Sequence, residues 1–200
     1  MLDWPHILTT LVQNIEQRLT QDIQTTEDTI CYYFFLHLVA SGIAPEQMIL
    51  EQSHPEMQQK QIDLSVIRPE GIWDFELKYH RPIPSGHNRP RTQLRGQVFS
   101  DLYKLALSDN QRGYMLYLAD PLMAAHWKRY VAEFSTYSGD TQISLTPEWL
   151  RMQPVTLRRV IQSGLGSTPQ DVVVEAQAIA TEETPDLSAW LYRVVPVHSS

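Results

Sequence analysis

The sequence predicts an α/β fold, with a central mixed β-sheet flanked by α-helices. Three observations lead to it. Residues 61–78 have the pattern of a β-hairpin, segments with helical periodicity lie on both sides of that hairpin, and residues 114–119 are apolar throughout. From Glu27 onward the order is therefore helix, strand, strand, helix, strand, helix, and such an order indicates a layered α/β core.

Two helices are predicted before the hairpin. Residues 6–22 carry apolar side chains at spacings of three and four, which is typical of an amphipathic helix. Hydroxyl and acidic side chains over residues 25–28 are typical of the start of a second helix. That helix is apolar nearly all round and is expected to end at Gly42. The sequence over residues 45–52 is compatible with either a short helix or an edge strand.

The hairpin is the most informative segment, because charged side chains stand in its strands. One strand is predicted over residues 61–67 and the other over 72–78, with Pro69 and Gly71 marking the turn. Acidic residues and lysine are poor strand formers. Their presence here indicates a role other than strand stability.

After the hairpin the sequence predicts a loop over residues 79–91 and a helix over 92–107. The apolar run at 114–119 predicts a strand buried on both faces, and Pro121 opens a helix that reaches about residue 134. Beyond residue 138 the pattern weakens. It predicts two short helical segments and then two strands, namely Pro147–Leu150, Leu157–Gln162, Val172–Val174 and Trp190–Val195.

Length and composition limit the classes of protein to consider. Two hundred residues suggest a single domain over 1–200, and an apolar fraction of 42% is enough for a sizeable core. We expect an N-terminal helix at 6–22, a core over about 20–135, and a C-terminal extension over about 140–200. That extension is compatible with a dimer arm, a recognition element or an extension of the sheet.

Charge and cysteine content bear on partners and compartment. The net charge of −7 does not favour non-specific binding to nucleic acid, although an acidic protein can carry a local basic patch. Cys31 is the single cysteine, so no disulfide can form within the chain and a zinc site is not expected. No secretory signal pattern is visible, and no apolar run is long enough to span a bilayer. We expect a cytoplasmic protein that does not enter a membrane.

The charged residues of the hairpin fit metal-assisted phosphodiester chemistry. Asp63 and Glu76, on neighbouring strands, offer the hard oxygen ligands that Mg²⁺ or Mn²⁺ prefers, and the carbonyl of Leu77 offers a third. A metal at that place lowers the pKa of a bound water and polarises a phosphoryl oxygen. Lys78 lies two residues after Glu76, hence on the same side of the sheet, where it can orient the attacking hydroxide or stabilise the transition state.

These residues resemble the PD-(D/E)xK nuclease superfamily, whose fold is that of type II restriction enzymes and of many repair and recombination nucleases. The match is Asp63, then twelve residues, then Glu76-Leu77-Lys78, with Ile62 where the family often has proline. The resemblance covers about residues 20–135. It implies a restriction endonuclease-like core and a metal-dependent endonuclease whose products carry a 5′-phosphate and a 3′-hydroxyl.

The resemblance implies two further site residues. Many members carry a glutamate on the helix before the core strands, and Glu27 is placed to match it and to complete the metal site directly or through a water. Many carry a glutamine on the helix after the Glu-x-Lys strand, where it would position the lysine or a phosphate. Gln97 is preferred because it lies well inside that helix. Gln93 lies one turn earlier on nearly the same face, so the choice between them stays open.

A cluster of basic residues follows the hairpin in this otherwise acidic chain. Its members are expected to contact the phosphates of a nucleic acid next to the metal. They are Arg81, Arg89, Arg91, Arg95 and Lys104. The expected substrate is DNA in preference to RNA. Because two active sites are needed to cut two strands, many such nucleases act as homodimers, and the sequence leaves the oligomeric state open.

Two other interpretations of the whole chain compete with a nuclease, and two simpler interpretations apply to single residues. The chain can be a catalytically silent nuclease-fold protein that binds nucleic acid or a protein partner, or an unrelated α/β scaffold. Glu76 and Lys78 can also form a plain solvated strand face together with Asp74. Glu27 can be no more than a first-turn acid that stabilises its helix through the helix dipole.

Overall fold

The computed structural model confirms an α/β fold, built on a seven-stranded mixed sheet with helices on both faces. It describes residues 2–81, 91–108, 112–132, 142–167, 169 and 172–198, without the side chains of Arg91 and residues 196–198. The helices are α1 (Trp4–Thr20), α2 (Glu27–Ala40), α3 (Arg91–Ala106), α4 (Pro121–Ala132), α5 (Pro147–Met152) and α6 (Val155–Leu165). The strands are β1 (Met48–Ser53), β2 (Gln61–Arg68), β3 (Gly71–His80), β4 (Arg112–Ala119), β5 (Gln142–Leu145), β6 (Val172–Glu183) and β7 (Ser188–His198).

The strands lie in the order β1-β2-β3-β4-β7-β6-β5. β3 and β4 are parallel, and all other neighbouring strands in the sheet are antiparallel. β7 pairs directly with β4, placing Tyr192 opposite Met115. Of the three roles considered for the C-terminal segment, the structure therefore shows an extension of the same sheet.

Two apolar cores cover the two faces of the sheet. α1 and α2 pack on one face, and α3, α4, α5 and α6 pack on the other. In β4 the side chains alternate between the cores: Tyr114 and Leu116 point into the first, and Met115 and Tyr117 into the second. All four are buried, which confirms the expected strand with two buried faces.

The start of α2 is fixed by its cap. The Thr26 side chain accepts a hydrogen bond from the backbone N–H of Thr29, and the Thr29 hydroxyl accepts one from the backbone N–H of Thr26. This reciprocal arrangement satisfies two donors that a helix start leaves free. It makes Glu27 the first residue of the helix, so that its side chain lies at the end of α2 nearest the hairpin.

Several predicted boundaries shift in the structure. Residues 45–52 contain both alternatives, a single 3₁₀ turn at Pro45–Gln47 followed by the edge strand β1. The predicted loop over 79–91 begins two residues later, because Tyr79 and His80 still pair with Leu118 and Ala119. Residues 82–90 of that loop, and the predicted end of α4 beyond residue 132, lie outside the described residues.

No helix in the described ranges is long and apolar enough to cross a membrane.

Close contact between α3 and α6 sets the position of α3. A Cβ atom added at Gly164 on α6 would overlap the hydroxyl of Ser100 on α3, and one added at Gly96 on α3 would lie 2.8 Å from Cγ1 of Val160. Both glycines are therefore required by packing and not by backbone conformation. The close packing of α3 on α6 also determines where α3 holds Gln97 and other polar residues relative to β3.

Replacing Gly164 by alanine should destabilise the protein, because the new methyl group forces α6 away from Ser100. We expect the free energy of unfolding, measured by urea denaturation, to fall by about 1–3 kcal/mol. Gln162→Ala, at an exposed position of the same helix, is the matched control and should stay within about 0.5 kcal/mol of wild type. Equal stability of the two variants would contradict the close packing of the helices.

Candidate functional site

The ladder between β2 and β3 opens where the predicted site residues lie. Regular pairing runs from Arg68–Gly71 to Leu64–Phe75 and does not include Asp63. Instead, Oδ2 of Asp63 accepts a hydrogen bond of 2.7 Å from the backbone N–H of Leu77. The Asp63 carboxylate therefore lies against the peptide that joins Glu76 to Leu77.

The neighbouring edge strand is distorted at the same level. β1 and β2 pair at Leu50–Leu64 and again at Gln52–Ile62, but not at Glu51–Asp63. Glu51 has φ +53°, a left-handed backbone conformation that is uncommon for a residue other than glycine. Asp63 thus lies outside the regular backbone pairing on both sides, and its side chain contacts the backbone of β3 at Leu77.

Glu76 is a buried carboxylate with one compensated and one unpartnered oxygen. Its side chain is 2% exposed, and Oε2 lies 2.6 Å from Nζ of Lys104. Oε1 is buried and has no hydrogen-bond partner among the described residues. Burial and the nearby charges of Asp101 and Asp63 raise the pKa of Glu76 well above its ordinary value, although the Lys104 ammonium opposes this shift. The ionised form of Glu76 is therefore less favourable here than in water, and additional positive charge would stabilise it.

Lys78 is held between two acids. Its Nζ lies 2.8 Å from Oε2 of Glu27 and 3.6 Å from Oδ2 of Asp101. Burial by itself lowers the pKa of Lys78, but the charges of Asp101 and Glu27 and the hydrogen bond with Glu27 outweigh burial and raise that pKa above its ordinary value. The raised pKa favours the ammonium form of Lys78.

Asp101 joins the two lysines and was not among the predicted site residues. It lies 3.6 Å from Lys78 and 3.8 Å from Lys104. Burial raises its pKa, and the two ammonium groups oppose that shift. The signal for it was present in the sequence, since Gln97, Asp101 and Lys104 are spaced by four and three residues and so share one helix face.

The charges in this group do not balance. Glu27, Lys78, Asp101, Lys104 and Glu76 form a chain in which acids and ammonium groups alternate. With the adjacent carboxylate of Asp63, four acids face two cations, which leaves two negative charges uncompensated when all are ionised. A divalent cation would neutralise that excess.

Two cavities adjoin Lys78. The larger, of about 720 Å³, is lined by Glu27, Asp28, Cys31, Tyr32, Phe35, Leu50, Glu51, Asp63, Leu77 and Lys78. The smaller, of about 300 Å³, is lined by Lys78, Gln93, Gln97, Ser100, Asp101, Val160, Ser163 and Gly164. Both candidate glutamines thus lie beside the lysine, with Gln93 exposed and Gln97 half-buried, and the choice between them stays open.

The donor atoms suit a hard cation such as Mg²⁺ or Mn²⁺. Asp63 and Glu76 supply carboxylate oxygens, Glu76 Oε1 is buried without a partner, and the Leu77 carbonyl belongs to the adjoining backbone. No group of three or more His, Cys, Asp or Glu side chains in the described part of the chain is arranged to hold a metal. Two carboxylates and a carbonyl are still a sufficient set, because Mg²⁺ usually keeps several of its waters. Glu27, which was expected to join the ligands, is paired with Lys78.

The structure divides the expected phosphate-binding cluster. Arg81 is exposed at the end of β3. Arg95 is 7% exposed, with its guanidinium carbon 3.2 Å from the ring centroid of Tyr130, so it packs inside the protein and is not placed to contact a phosphate. The Lys104 ammonium is directed inward, to Glu76 and to the carbonyl oxygen of Gln61 at 2.9 Å. Arg89 and the side chain of Arg91 lie outside the described residues.

A plain solvated strand face does not describe these residues. Asp74 is fully buried, and its carboxylate accepts hydrogen bonds from the hydroxyls of Ser65 at 2.6 Å and Ser108 at 2.8 Å. Glu76 is buried as well. The Asp74 carboxylate thus joins β2 and β3 to Ser108, two residues beyond the end of α3.

Comparisons of the chain with protein-family models, with curated proteins and with solved structures find no match.

Replacing Lys104 by methionine should destabilise the protein in a pH-dependent way, because the buried Glu76 loses its counter-charge. Above pH 4.5, the ordinary pKa of this carboxyl, the unfolded chain keeps Glu76 ionised in water, whereas the folded variant must bury the charge or take up a proton. Near neutral pH we expect the free energy of unfolding to fall by about 3 kcal/mol relative to wild type. The deficit should shrink as the pH falls through the raised pKa that Glu76 has in the folded wild type, because Glu76 is then protonated in both folded proteins and needs no cation.

The control for this experiment is the double variant Glu76→Gln/Lys104→Met, which lacks the titrating group. Most of the pH dependence of the deficit should disappear in it. A deficit in Lys104→Met that is the same at every pH would show that Lys104 does not compensate the charge of Glu76.

Proposed function

We propose that this protein is a metal-dependent nuclease with a restriction endonuclease-like core, which hydrolyses phosphodiester bonds of DNA in preference to RNA. The observation that carries the proposal is that the Asp63 carboxylate accepts a hydrogen bond from the backbone N–H of Leu77, and that its charge lies near enough to the buried Glu76 to raise the pKa of that carboxyl. The order α2, β1, β2, β3, α3, β4 also supports it, with Glu27 on α2, Asp63 on β2, Glu76-x-Lys78 on β3 and a glutamine on α3.

The metal ligands in this proposal are Asp63, Glu76 and the carbonyl of Leu77, holding Mg²⁺ or Mn²⁺. When bound, such a metal supplies an activated water and polarises a phosphoryl oxygen. Glu76 is suited to cation binding because its Oε1 is already desolvated and unpartnered. Lys104 favours the ionised form of Glu76 against burial, and it is therefore a positioning residue.

Lys78 is assigned an electrostatic role at the scissile phosphate. Glu27 and Asp101 keep it protonated, so a fixed ammonium would face the charge that develops on the phosphoryl oxygens. A preorganised charge in a partly buried site stabilises a transition state more than the same charge does in water. Gln97 or Gln93, from the adjoining smaller cavity, would orient Lys78 or a phosphate.

A second candidate is a nuclease-fold protein that binds nucleic acid or a protein partner without cleaving it. The observation in its favour is the ion pair between Lys104 and Glu76, which already supplies one cation to a carboxylate needed for the metal. The net charge of −7 points the same way, because it limits general attraction to phosphates.

Cleavage assays separate the two candidates. Wild-type protein should cleave plasmid or single-stranded DNA in Mg²⁺ or Mn²⁺ and not in EDTA. Glu76→Gln and Lys78→Ala should each lower the rate by about 100-fold or more, because each removes charge that acts in the transition state. Glu148→Gln, which makes the same change at an exposed position on α5, should cleave like wild type.

Two results would contradict the proposal. If Glu76→Gln and Lys78→Ala cleave at the wild-type rate, the site is wrongly assigned. If folded wild-type protein binds DNA and cleaves none with either metal, the silent candidate is correct. Circular dichroism of every variant excludes loss of folding as the cause of a lost activity.

A further inference from the structure

We propose that the cavity of about 720 Å³ beside Asp63 and Lys78 binds an unpaired nucleobase, which makes single-stranded nucleic acid the substrate class. The inference rests on the proposed function, because it places the scissile phosphate at Lys78. It goes further by assigning a role to the wall of the cavity formed by α2 and β1, which the metal chemistry does not use.

The wall of this cavity is aromatic and apolar. Tyr32 and Phe35 lie three residues apart on α2 and both line it, and Leu50 of β1 lines it too. Tyr32 is 60% exposed, and Leu50 is exposed as well. Tyr33 contacts the Tyr32 ring edge-to-face with the centroids 5.9 Å apart, which supports the ring while most of it stays open to solvent. An exposed aromatic ring next to a phosphate-binding charge is how proteins hold unpaired bases by stacking.

The charges on the cavity wall indicate which part of a nucleotide enters. Glu27, Asp28 and Glu51 line it together with Asp63, and Lys78 is the single cation among the described lining residues. A phosphate backbone running along this wall would meet like charges at short range. A neutral base would not. With the proposed metal at Asp63 and Glu76 offsetting the excess of acids, the phosphate is directed to the metal and Lys78, and the base to the aromatic wall.

The size of the cavity agrees with one nucleotide. Its volume lies within the range of about 300–1,000 Å³ that is typical of small-molecule sites. A base inside a duplex is stacked and paired, and it can enter such a pocket only after it leaves the stack. A single strand offers unpaired bases without the free-energy cost of unstacking and unpairing. The cavity therefore favours single strands over intact duplex.

Binding of a short fluorescein-labelled oligonucleotide tests the inference by fluorescence anisotropy, in Ca²⁺, which takes the same oxygen ligands. The single strand should bind more tightly than a duplex of the same sequence. Tyr32→Ala should weaken single-strand binding about fivefold or more, because a stacking partner is lost, and Tyr32→Phe should retain it. Met152→Ala, at an exposed site on α5 that does not line the cavity, is the control and should bind like wild type.

Equal binding by wild type and Tyr32→Ala, or duplex binding as tight as single-strand binding, would overturn the inference. A cleavage assay of the same variants keeps the two proposals apart. If wild type and Tyr32→Ala cleave duplex DNA at the same rate, the proposed nuclease activity is supported and the base-binding role of the cavity is refuted. If the protein cleaves no DNA but binds the single strand in a way that depends on Tyr32, the nuclease proposal is refuted and the base-binding cavity is supported.

Discussion

The buried carboxylate of Glu76 is the constraint around which the site is arranged. Glu76 is 2% exposed in the middle of the sheet, and an ionised carboxylate in such a place is unfavourable unless other groups compensate its charge. Lys104 provides one cation at 2.6 Å, Asp101 lies beside that cation, and Lys78 connects Asp101 to Glu27. The negative charge that remains uncompensated when all of these groups are ionised would favour a bound cation, and it links the stability of the site to its proposed chemistry.

The compensation depends on elements far apart in the sequence. Lys104 and Asp101 reach β3 only because α3 lies against the sheet, and α3 is positioned by α6 through the contacts at Gly96 and Gly164. The C-terminal segment also supplies β7, which pairs with β4 and completes the interior of the sheet. The residues beyond the predicted core therefore take part in holding the site together.

Local patterns in the sequence were enough to predict the hairpin and its neighbours. Alternation with period two placed β2 and β3, and the apolar run at 114–119 placed β4, because each of these signals lies within a single element. The four-residue strand β5 has too little pattern to be recognised, and the pairing of β7 with β4 joins segments that no local signal relates. The sequence predicts that Arg95 contacts phosphates, but its guanidinium packs over Tyr130 of α4, a contact that depends on tertiary structure.

A crystal structure with Mn²⁺, located by its anomalous scattering, tests the central claim most directly. The account predicts one peak bonded to a carboxylate oxygen of Asp63, to Oε1 of Glu76 and to the carbonyl oxygen of Leu77, at distances of about 2.0–2.3 Å, as expected for small divalent metals with oxygen ligands. A structure with no manganese at these atoms, in which Lys104 still neutralises Glu76 at saturating metal, would contradict it.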